Sequence, residues 1–115
     1  AWARYQKGDC NEALEEAKYS VSIKANYYNL HTLAMVLKCL GNDTEALAYI
    51  NQSIDMYVRI NGEFKKAEYY LDRAELKYAT RDYTGAKADL NKAIGIEPYN
   101  KIVTIRVEDL KSKMN

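Results

Sequence analysis

The sequence of 115 residues contains little proline, glycine, cysteine or histidine, and each shortage excludes a class of protein. One proline and five glycines argue against collagen-like chains and flexible linkers, and 48% apolar residues argue against disorder. Two cysteines are too few for a disulfide scaffold, and the 29 positions that separate Cys10 from Cys39 match no short metal-binding spacing. We therefore expect both cysteines to act as small packing residues.

The chain also lacks a dominant charge and a long apolar segment. Seventeen Lys and Arg residues against sixteen Asp and Glu residues give a net charge of +1, which is too small to gather nucleic acid. No segment approaches the roughly 18 apolar residues that span a bilayer, so we expect a soluble protein without membrane insertion. Because the chain starts at Ala1 without an initiator Met, export stays open, although the cytoplasm is slightly favoured.

A catalytic function finds no support in the residue types present. His31 is the only histidine, which excludes a histidine metal cluster, and neither cysteine lies in a nucleophile motif. Adjacent acids such as Glu15 and Glu16 diverge by about 100 degrees on a helix and do not form an acid and base pair. We expect no enzyme activity, no cofactor and no metal, and we expect His31 to be a partly exposed helix residue.

The chain does contain internal repeats, which appear when the sequence is laid over itself. Offsets of 33 and 40 residues superpose three copies, and periods of this size are typical of stacked helical or mixed units. The first offset matches Gly8, Glu12, Ala13, Leu14 and Ser20 to Gly41, Glu45, Ala46, Leu47 and Ser53, and the second matches Ala34, Thr44, Ala46, Asn51 and Ile54 to Ala74, Thr84, Ala86, Asn91 and Ile94.

Apolar residues within each copy follow helical spacing, so each copy is predicted to be a helical hairpin. Gly8 and Gly41 are predicted to end helices in the left-handed conformation, and the pairs Asp9 with Glu12 and Asn42 with Glu45 to cap the next helices. In the third copy Asp82 keeps the cap. Arg81, however, stands where the other copies have glycine, at a steric cost if the backbone there is left-handed, and Asp82 is expected to compensate in part.

Two further segments complete the helical pattern. Six extra residues between the second and third copies are expected to lengthen both flanking helices through residues 56–66, with a turn at Asn61 and Gly62. Pro98 blocks the last hairpin from continuing, and residues 101–114 carry one apolar stripe. The stripe predicts a closing helix, whose other face holds Arg106, Asp109, Lys111 and Lys113.

These residues carry a resemblance to the tetratricopeptide repeat (TPR) family over nearly the whole chain. The segment from Tyr69 to Asn100 resembles a repeat through Ala74, Asp82, Tyr83, Ala86, Leu90, Ala93 and Pro98, and the segment from Tyr27 to Val58 resembles another through Leu30, Leu33, Ala34, Gly41, Ala46, Ile50 and Ser53. Residues 1–25 resemble the latter two-thirds of a third repeat. Departures from the family pattern include Arg73 at a usually apolar position and Val58 in place of proline.

The resemblance implies an all-α, right-handed superhelix of about three TPR-like hairpins with a C-terminal capping helix. We expect a single domain over 1–115, divided into a partial repeat at 1–26, repeats at 27–61 and 62–100, and a capping helix at 101–115. Most tyrosines, among them Tyr19, Tyr49 and Tyr83, are expected to bury their rings between helices.

In this family the first helix of each hairpin lines an inner groove, and that groove is the candidate binding site. Its aromatic, Met and charged residues suit a peptide or helix of a partner protein. The groove residues implied by the register are Trp2, Tyr5, Tyr28, His31, Met35, Lys38, Glu68, Leu71, Glu75 and Tyr78. The expected function is a non-catalytic protein-interaction module. The alternatives are a structural or self-assembly segment of a longer solenoid and a regulatory arm of a larger protein.

Two statements about partners follow from the resemblance. Some family members bind acidic chaperone tails through a Lys and Asn clamp, but here His31, Met35 and Thr32 stand at clamp positions, and Glu68 with Asp72 replace two basic residues. These carboxylates would repel an acidic tail. We also expect weak self-association through residues 1–25, because the first hairpin lacks most of its first helix.

Overall fold

The computed structural model describes residues 7–62 and 65–114, with side chains described from Asp9 onward. The helices in these ranges are α1 (Lys7–Ile23), α2 (Tyr27–Cys39), α3 (Asp43–Asn61), α4 (Ala67–Ala79), α5 (Tyr83–Ile96) and α6 (Lys101–Met114). No strand occurs among the described residues, so the all-helical prediction is confirmed.

Contacts between the helices group the chain into two compact units, residues 1–64 and residues 65–115. In the first unit α2 packs against both α1 and α3, and in the second unit α4, α5 and α6 all pack against one another. The repeat boundaries and the assignment of 1–115 to a single domain stay predictions.

Two turns end helices with the same backbone geometry, one in each unit. After α2, Gly41 has a φ of 82°, and the N–H groups of Gly41 and Asn42 donate to the carbonyls of Lys38 and Leu37. After α4, Arg81 has a φ of 69° and makes the equivalent hydrogen bond to Tyr78. Both are Schellman motifs, in which a left-handed residue lets the last carbonyls find donors. The predicted stop at Gly41 and the predicted strain at Arg81 are confirmed.

Other helix ends agree only in part with the sequence. Asp82 caps α5 by accepting from the N–H of Gly85 at 2.9 Å, as predicted. Asn42 precedes α3, but its side chain makes no cap hydrogen bond. Asp43 and Glu45 in the first turn of α3 instead interact favourably with the helix dipole. The predicted helix end at Gly8 is wrong, because Gly8 lies within α1.

The segment between the two units extends only one of its flanking helices. α3 runs for 19 residues to Asn61, and Gly62 follows with a φ of 84°, as the sequence predicts. α4, with 13 residues, is no longer than α2, so the prediction that both helices lengthen is wrong for α4. Lys66, the residue before α4, makes no side-chain cap hydrogen bond.

The core of the first unit is built on α2. Leu30, Leu33, Ala34 and Leu37 are buried, and Ala46, Ile50 and Ile54 of α3 complete the packing. Cys10 of α1 and Cys39 at the end of α2 form a disulfide, with Cα atoms 6.3 Å apart. The expectation that both cysteines only pack is therefore wrong. The packing of α1 on α2 brings together two cysteines that are 29 positions apart in the sequence.

The core of the second unit combines small and aliphatic residues from all three of its helices. The buried cluster contains Ala67, Leu71 and Ala74 of α4, Ala86, Leu90 and Ala93 of α5, and Val103, Val107 and Leu110 of α6. The alanines allow close approach of the helices. The predicted closing stripe of α6 is therefore confirmed as the buried side of that helix.

Candidate functional site

The predicted groove residues of the first unit fall into three groups. Trp2 and Tyr5 lie outside the described residues. His31 and Met35 are buried and Lys38 is half-buried, because α2 has a helix packed on either side of it. The expected exposure of His31 and Met35 is therefore wrong, whereas Tyr28 is 66% exposed, as predicted.

Tyr28 lies at a cleft between α1 and α2. The cleft has a volume of about 290 Å³. Its lining consists of Ala13, Glu16, Ala17 and Ser20 of α1, Asn26, and Tyr28, Asn29, Thr32 and Val36 of α2. The small residues on the α1 side and the exposed ring of Tyr28 leave room for one side chain of a ligand.

The polar residues at the end of this cleft serve the fold. The Asn26 side chain accepts from the N–H of Asn29, and the Asn29 side chain accepts from the N–H of Asn26, both at 2.8 Å. The Asn29 amide also donates to the carbonyls of Ser20 and Lys24 at 3.2 and 2.8 Å. This capping box holds the turn between α1 and α2 and therefore positions Tyr28, which follows Asn26 by two residues. Asn26 and Asn29 were not among the predicted caps.

In the second unit, the predicted groove residues on α4 are less accessible than expected. Leu71 is buried in the core cluster, which is a correction to its place in the groove. Tyr78 is half-buried, since its ring packs against the same core and lies 5.6 Å from the ring of Tyr83. Tyr83 is exposed, as is Tyr19 in the first unit, so the expected burial of both rings is wrong. Glu68 is exposed on α4.

Two large exposed apolar residues of the second unit lie on α6, where the sequence predicts a polar surface. Ile102 is 70% exposed and Ile105 is 62% exposed. They are three residues apart on a helix and thus lie on one face, on which Asp109 follows Ile105 by one turn. The sequence could have indicated these two residues as part of the groove. Ile102 and Ile105 lie 34 positions, or one repeat length, after the predicted groove residues Glu68 and Leu71.

Arg106 connects this face of α6 to α4. Its Nη2 donates to Oδ1 of Asp72 at 3.1 Å and to Oε2 of Glu75 at 2.9 Å. Burial opposes the charged guanidinium, but the carboxylates of Glu75 and Asp72 outweigh that effect and raise the pKa of Arg106 above its usual value. We use the name α4–α6 face for the exposed residues Glu68, Ile102, Ile105 and Asp109 together with the half-buried Glu75.

A second charged cluster lies inside the same unit and serves packing. Asp89 of α5 is fully buried, and its carboxylate accepts from Arg73 Nε at 2.8 Å and Nη2 at 2.9 Å, with Lys77 Nζ at 3.0 Å. The guanidinium of Arg73 also lies 5.4 Å from the ring centre of Tyr70. Arg73 thus joins α4 to α5 by a charged pair.

Neither a metal centre nor a membrane span is seen in the part of the chain that the structure describes. No group of three His, Cys, Asp or Glu side chains within residues 7–62 and 65–114 could hold a metal ion. None of the helices in those ranges is long and apolar enough to cross a membrane.

Comparison of the chain with known proteins identifies no family for it. No protein-family model matches the chain, and no curated protein matches it either. The resemblance to tetratricopeptide repeats therefore rests on the sequence pattern alone.

Proposed function

We propose that the chain is a non-catalytic protein-interaction module that binds a peptide or helix of a partner protein. The observation that carries this proposal is the exposure of two large apolar side chains, Tyr28 on α2 and Ile102 on α6. Sequence offsets of 40 and 34 residues relate both positions to Glu68. Burial in a partner would remove these side chains from water, and aromatic or aliphatic anchors commonly dominate such interfaces. We further propose that the hairpins are TPR-like repeats of a right-handed superhelix.

The arrangement of each unit supports binding without chemistry. In the first unit the capping box fixes the start of α2, so the Tyr28 ring is presented at the cleft by a rigid helix end. In the second unit the Arg106 contacts hold α6 against α4, so the isoleucines project from a fixed surface. A preformed surface loses less conformational entropy when a ligand binds.

The test is selection of peptides from a displayed random library on the full chain, followed by affinity measurement with labelled synthetic peptides. Tyr28→Ala, or Ile102→Asp with Ile105→Asp, should weaken the selected peptides by about tenfold, the effect expected for loss of one anchor. Tyr19→Ala is the matched control for Tyr28→Ala, since Tyr19 is 68% exposed on α1 but lies outside the cleft lining.

Two results would contradict the proposal. One is a library that yields no binding peptide, and the other is a set of peptides whose affinity none of these variants changes. The second result would favour the structural or regulatory alternatives, in which these surfaces contact other parts of a larger assembly.

A further inference from the structure

Within the first unit, packing holds α1 less firmly than it holds the two helices that follow. Among the described side chains of α1, from Asp9 to Ile23, only Cys10 and Ala17 are buried. Among the described residues of this unit, α1 contacts α2 but not α3, whereas α2 contacts both of its neighbours. Because a helix in a protein is stabilised mainly by the apolar surface that it buries, packing alone holds α1 weakly.

The contact between α1 and α2 also contains open space. The side of α2 that faces α1 carries Asn29, Thr32, Val36 and Cys39. The first three line the cleft between the two helices, and the last is bonded to Cys10. Their spacing of three, four and three residues places them along one side of the helix. Protein interiors leave few voids larger than a water molecule, so a cleft of about 290 Å³ shows that the two helices are not closely packed here.

Two specific connections compensate for this loose packing, one toward each end of the contact. At one end the side-chain amide of Asn29 donates to the carbonyl of Ser20 at 3.2 Å and to its hydroxyl at 3.1 Å. At the other end the disulfide joins Cys10 to Cys39. A hydrogen bond contributes modestly and breaks reversibly, whereas a disulfide separates only through a chemical reaction. The disulfide is therefore the stronger of the two connections.

The contact between α2 and α3 has no crosslink and has stronger packing. Ile50 and Ile54 of α3 are buried. The hydroxyl of Ser53 donates to the carbonyl of Tyr27, and the rings of Tyr27 and Tyr57 meet edge to face with their centres 4.7 Å apart. Parts of a protein with less buried surface open at a lower free energy than parts with more. We therefore expect α1 to open before α2 separates from α3.

We propose that the Cys10–Cys39 disulfide is a redox switch that controls the docking of α1 on α2. A dithiol reductant attacks one sulfur of the pair as a thiolate, and the other cysteine leaves as a thiolate that takes up a proton. The second thiol of the reductant then displaces the attacked cysteine, so the protein gains two thiols and the reductant becomes a disulfide. Without the crosslink, α1 opens and uncovers Val36, which is fully buried in the oxidised protein. This inference does not depend on the proposed function, because it concerns the docking of a helix and not a ligand.

Hydrogen exchange measured by mass spectrometry on the full chain tests the switch. Dithiothreitol is added, and a thiol titration establishes that two thiols per chain have formed. The protection factors of amides in α1 should then fall by at least about tenfold, because the crosslink no longer limits opening of this helix. Those of α3 should change by less than about threefold. The double variant Cys10→Ala with Cys39→Ala should show the reduced pattern with or without dithiothreitol.

A variant that fills the cleft tests the physical basis of the switch. Ala13 is half-buried and lines the cleft, so Ala13→Leu adds apolar surface between α1 and α2. In the reduced protein this variant should raise the protection of α1 by at least about fivefold, because the added packing replaces part of the lost connection. Glu15→Leu is the matched control, since Glu15 is exposed on the same helix and lies outside the cleft lining. It should not raise the protection of α1.

Four results would overturn the inference. The first is a disulfide that dithiothreitol does not reduce in the folded chain, and the second is unchanged protection of α1 after complete reduction. The third is an equal loss of protection in α1 and α3, which would mean that the crosslink holds the whole unit and not one helix. The fourth is an effect of Ala13→Leu no larger than that of Glu15→Leu.

Discussion

Arg81 is a single residue at which the fold holds an unfavourable backbone. Its φ of 69° lies in the left-handed region, which costs an L-residue about 1 to 2 kcal/mol but costs glycine nothing. Since glycine also loses more entropy on folding, Arg81→Gly should stabilise the protein by a net of roughly 0.5 to 1 kcal/mol. Urea unfolding followed by circular dichroism would measure this change.

A control for the same substitution lies two residues earlier. Ala79→Gly, at an exposed helical position of α4, should destabilise the protein by roughly 0.5 to 1 kcal/mol. Lower stability of Arg81→Gly would contradict the idea that the turn after α4 stores strain. The sequence alone identified Arg81 because it occupies the place that Gly41 holds in the preceding hairpin.

Asp89 shows what the sequence could not predict at the residue scale. Arg73 is recognisable as an unusual residue, but its partner lies sixteen residues away on another helix. A buried carboxylate is costly unless it is paired, and here two cations pair with it. The pair depends on the packing of α4 against α5, which fixes which carboxylate Arg73 can reach. Residue types alone do not contain that information.

At the scale of helices, the disulfide joins Cys10 of α1 to Cys39, the last residue of α2. In the chain-entropy account, a crosslink that closes a loop of 29 residues stabilises a protein by roughly 3 to 4 kcal/mol. The double variant Cys10→Ala with Cys39→Ala should therefore lose stability of this size. Reduction of the wild-type protein should have the same effect, measured as a lower urea midpoint for loss of helical signal.

The double variant also provides the control for reduction, because it contains no cysteine and its unfolding should not respond to reductant. A thiol titration of the unfolded, unreduced wild-type protein should find no free thiol. Two free thiols, or an unchanged midpoint on reduction, would show that the crosslink is absent or contributes nothing. Sequence spacing could not reveal the pair, since the distance between the cysteines is set by the contact of α1 with α2.

The boundaries of α6 were predictable from the sequence. α6 begins and ends where the apolar stripe predicts, because Pro98 precedes it and the Asn100 side chain accepts from the N–H groups of Ile102 and Val103. The outer surface of the same helix was less predictable. Charged residues on that surface predicted a polar face, but Ile102 and Ile105 are exposed there as well. Their exposure depends on how much of α6 is covered by α4 and α5.

At the scale of the whole molecule, the sequence predicted the all-helical class but not the accessibility of the candidate groove. Helical spacing and turn residues act over a few positions, so they can be recognised locally. Burial depends on which helices pack together. His31, Met35, Leu71 and Tyr28 were all predicted to line the groove. Neighbouring helices cover the first three, whereas Tyr28 is exposed.

At the scale of the whole molecule, the exposed apolar residues of α1 predict weak self-association. On α1, Tyr19 is 68% exposed and Ile23 is 67% exposed, and they lie one turn apart. Leu14 and Val21 of the same helix are half-buried. Each covered apolar side chain contributes roughly 1.5 to 3 kcal/mol, which only partly offsets an association cost of about 4 to 15 kcal/mol. We therefore predict a monomer in dilute solution and a growing dimer fraction at high concentration, measured by sedimentation equilibrium.

Two pairs of substitutions on α1 should remove the dimer, Leu14→Glu with Val21→Glu and Tyr19→Glu with Ile23→Glu. The second pair is the cleaner test because both side chains are exposed, so the fold should survive the substitution. Tyr99→Glu is the control, since Tyr99 is almost fully exposed in the second unit and should not change association. A monomer at every attainable concentration would contradict the prediction, and so would a dimer that the α1 variants leave intact but Ile102→Asp with Ile105→Asp abolishes. In that second case the dimer contact would lie on the α4–α6 face, and a partner peptide and a second copy of the chain would compete for the same surface.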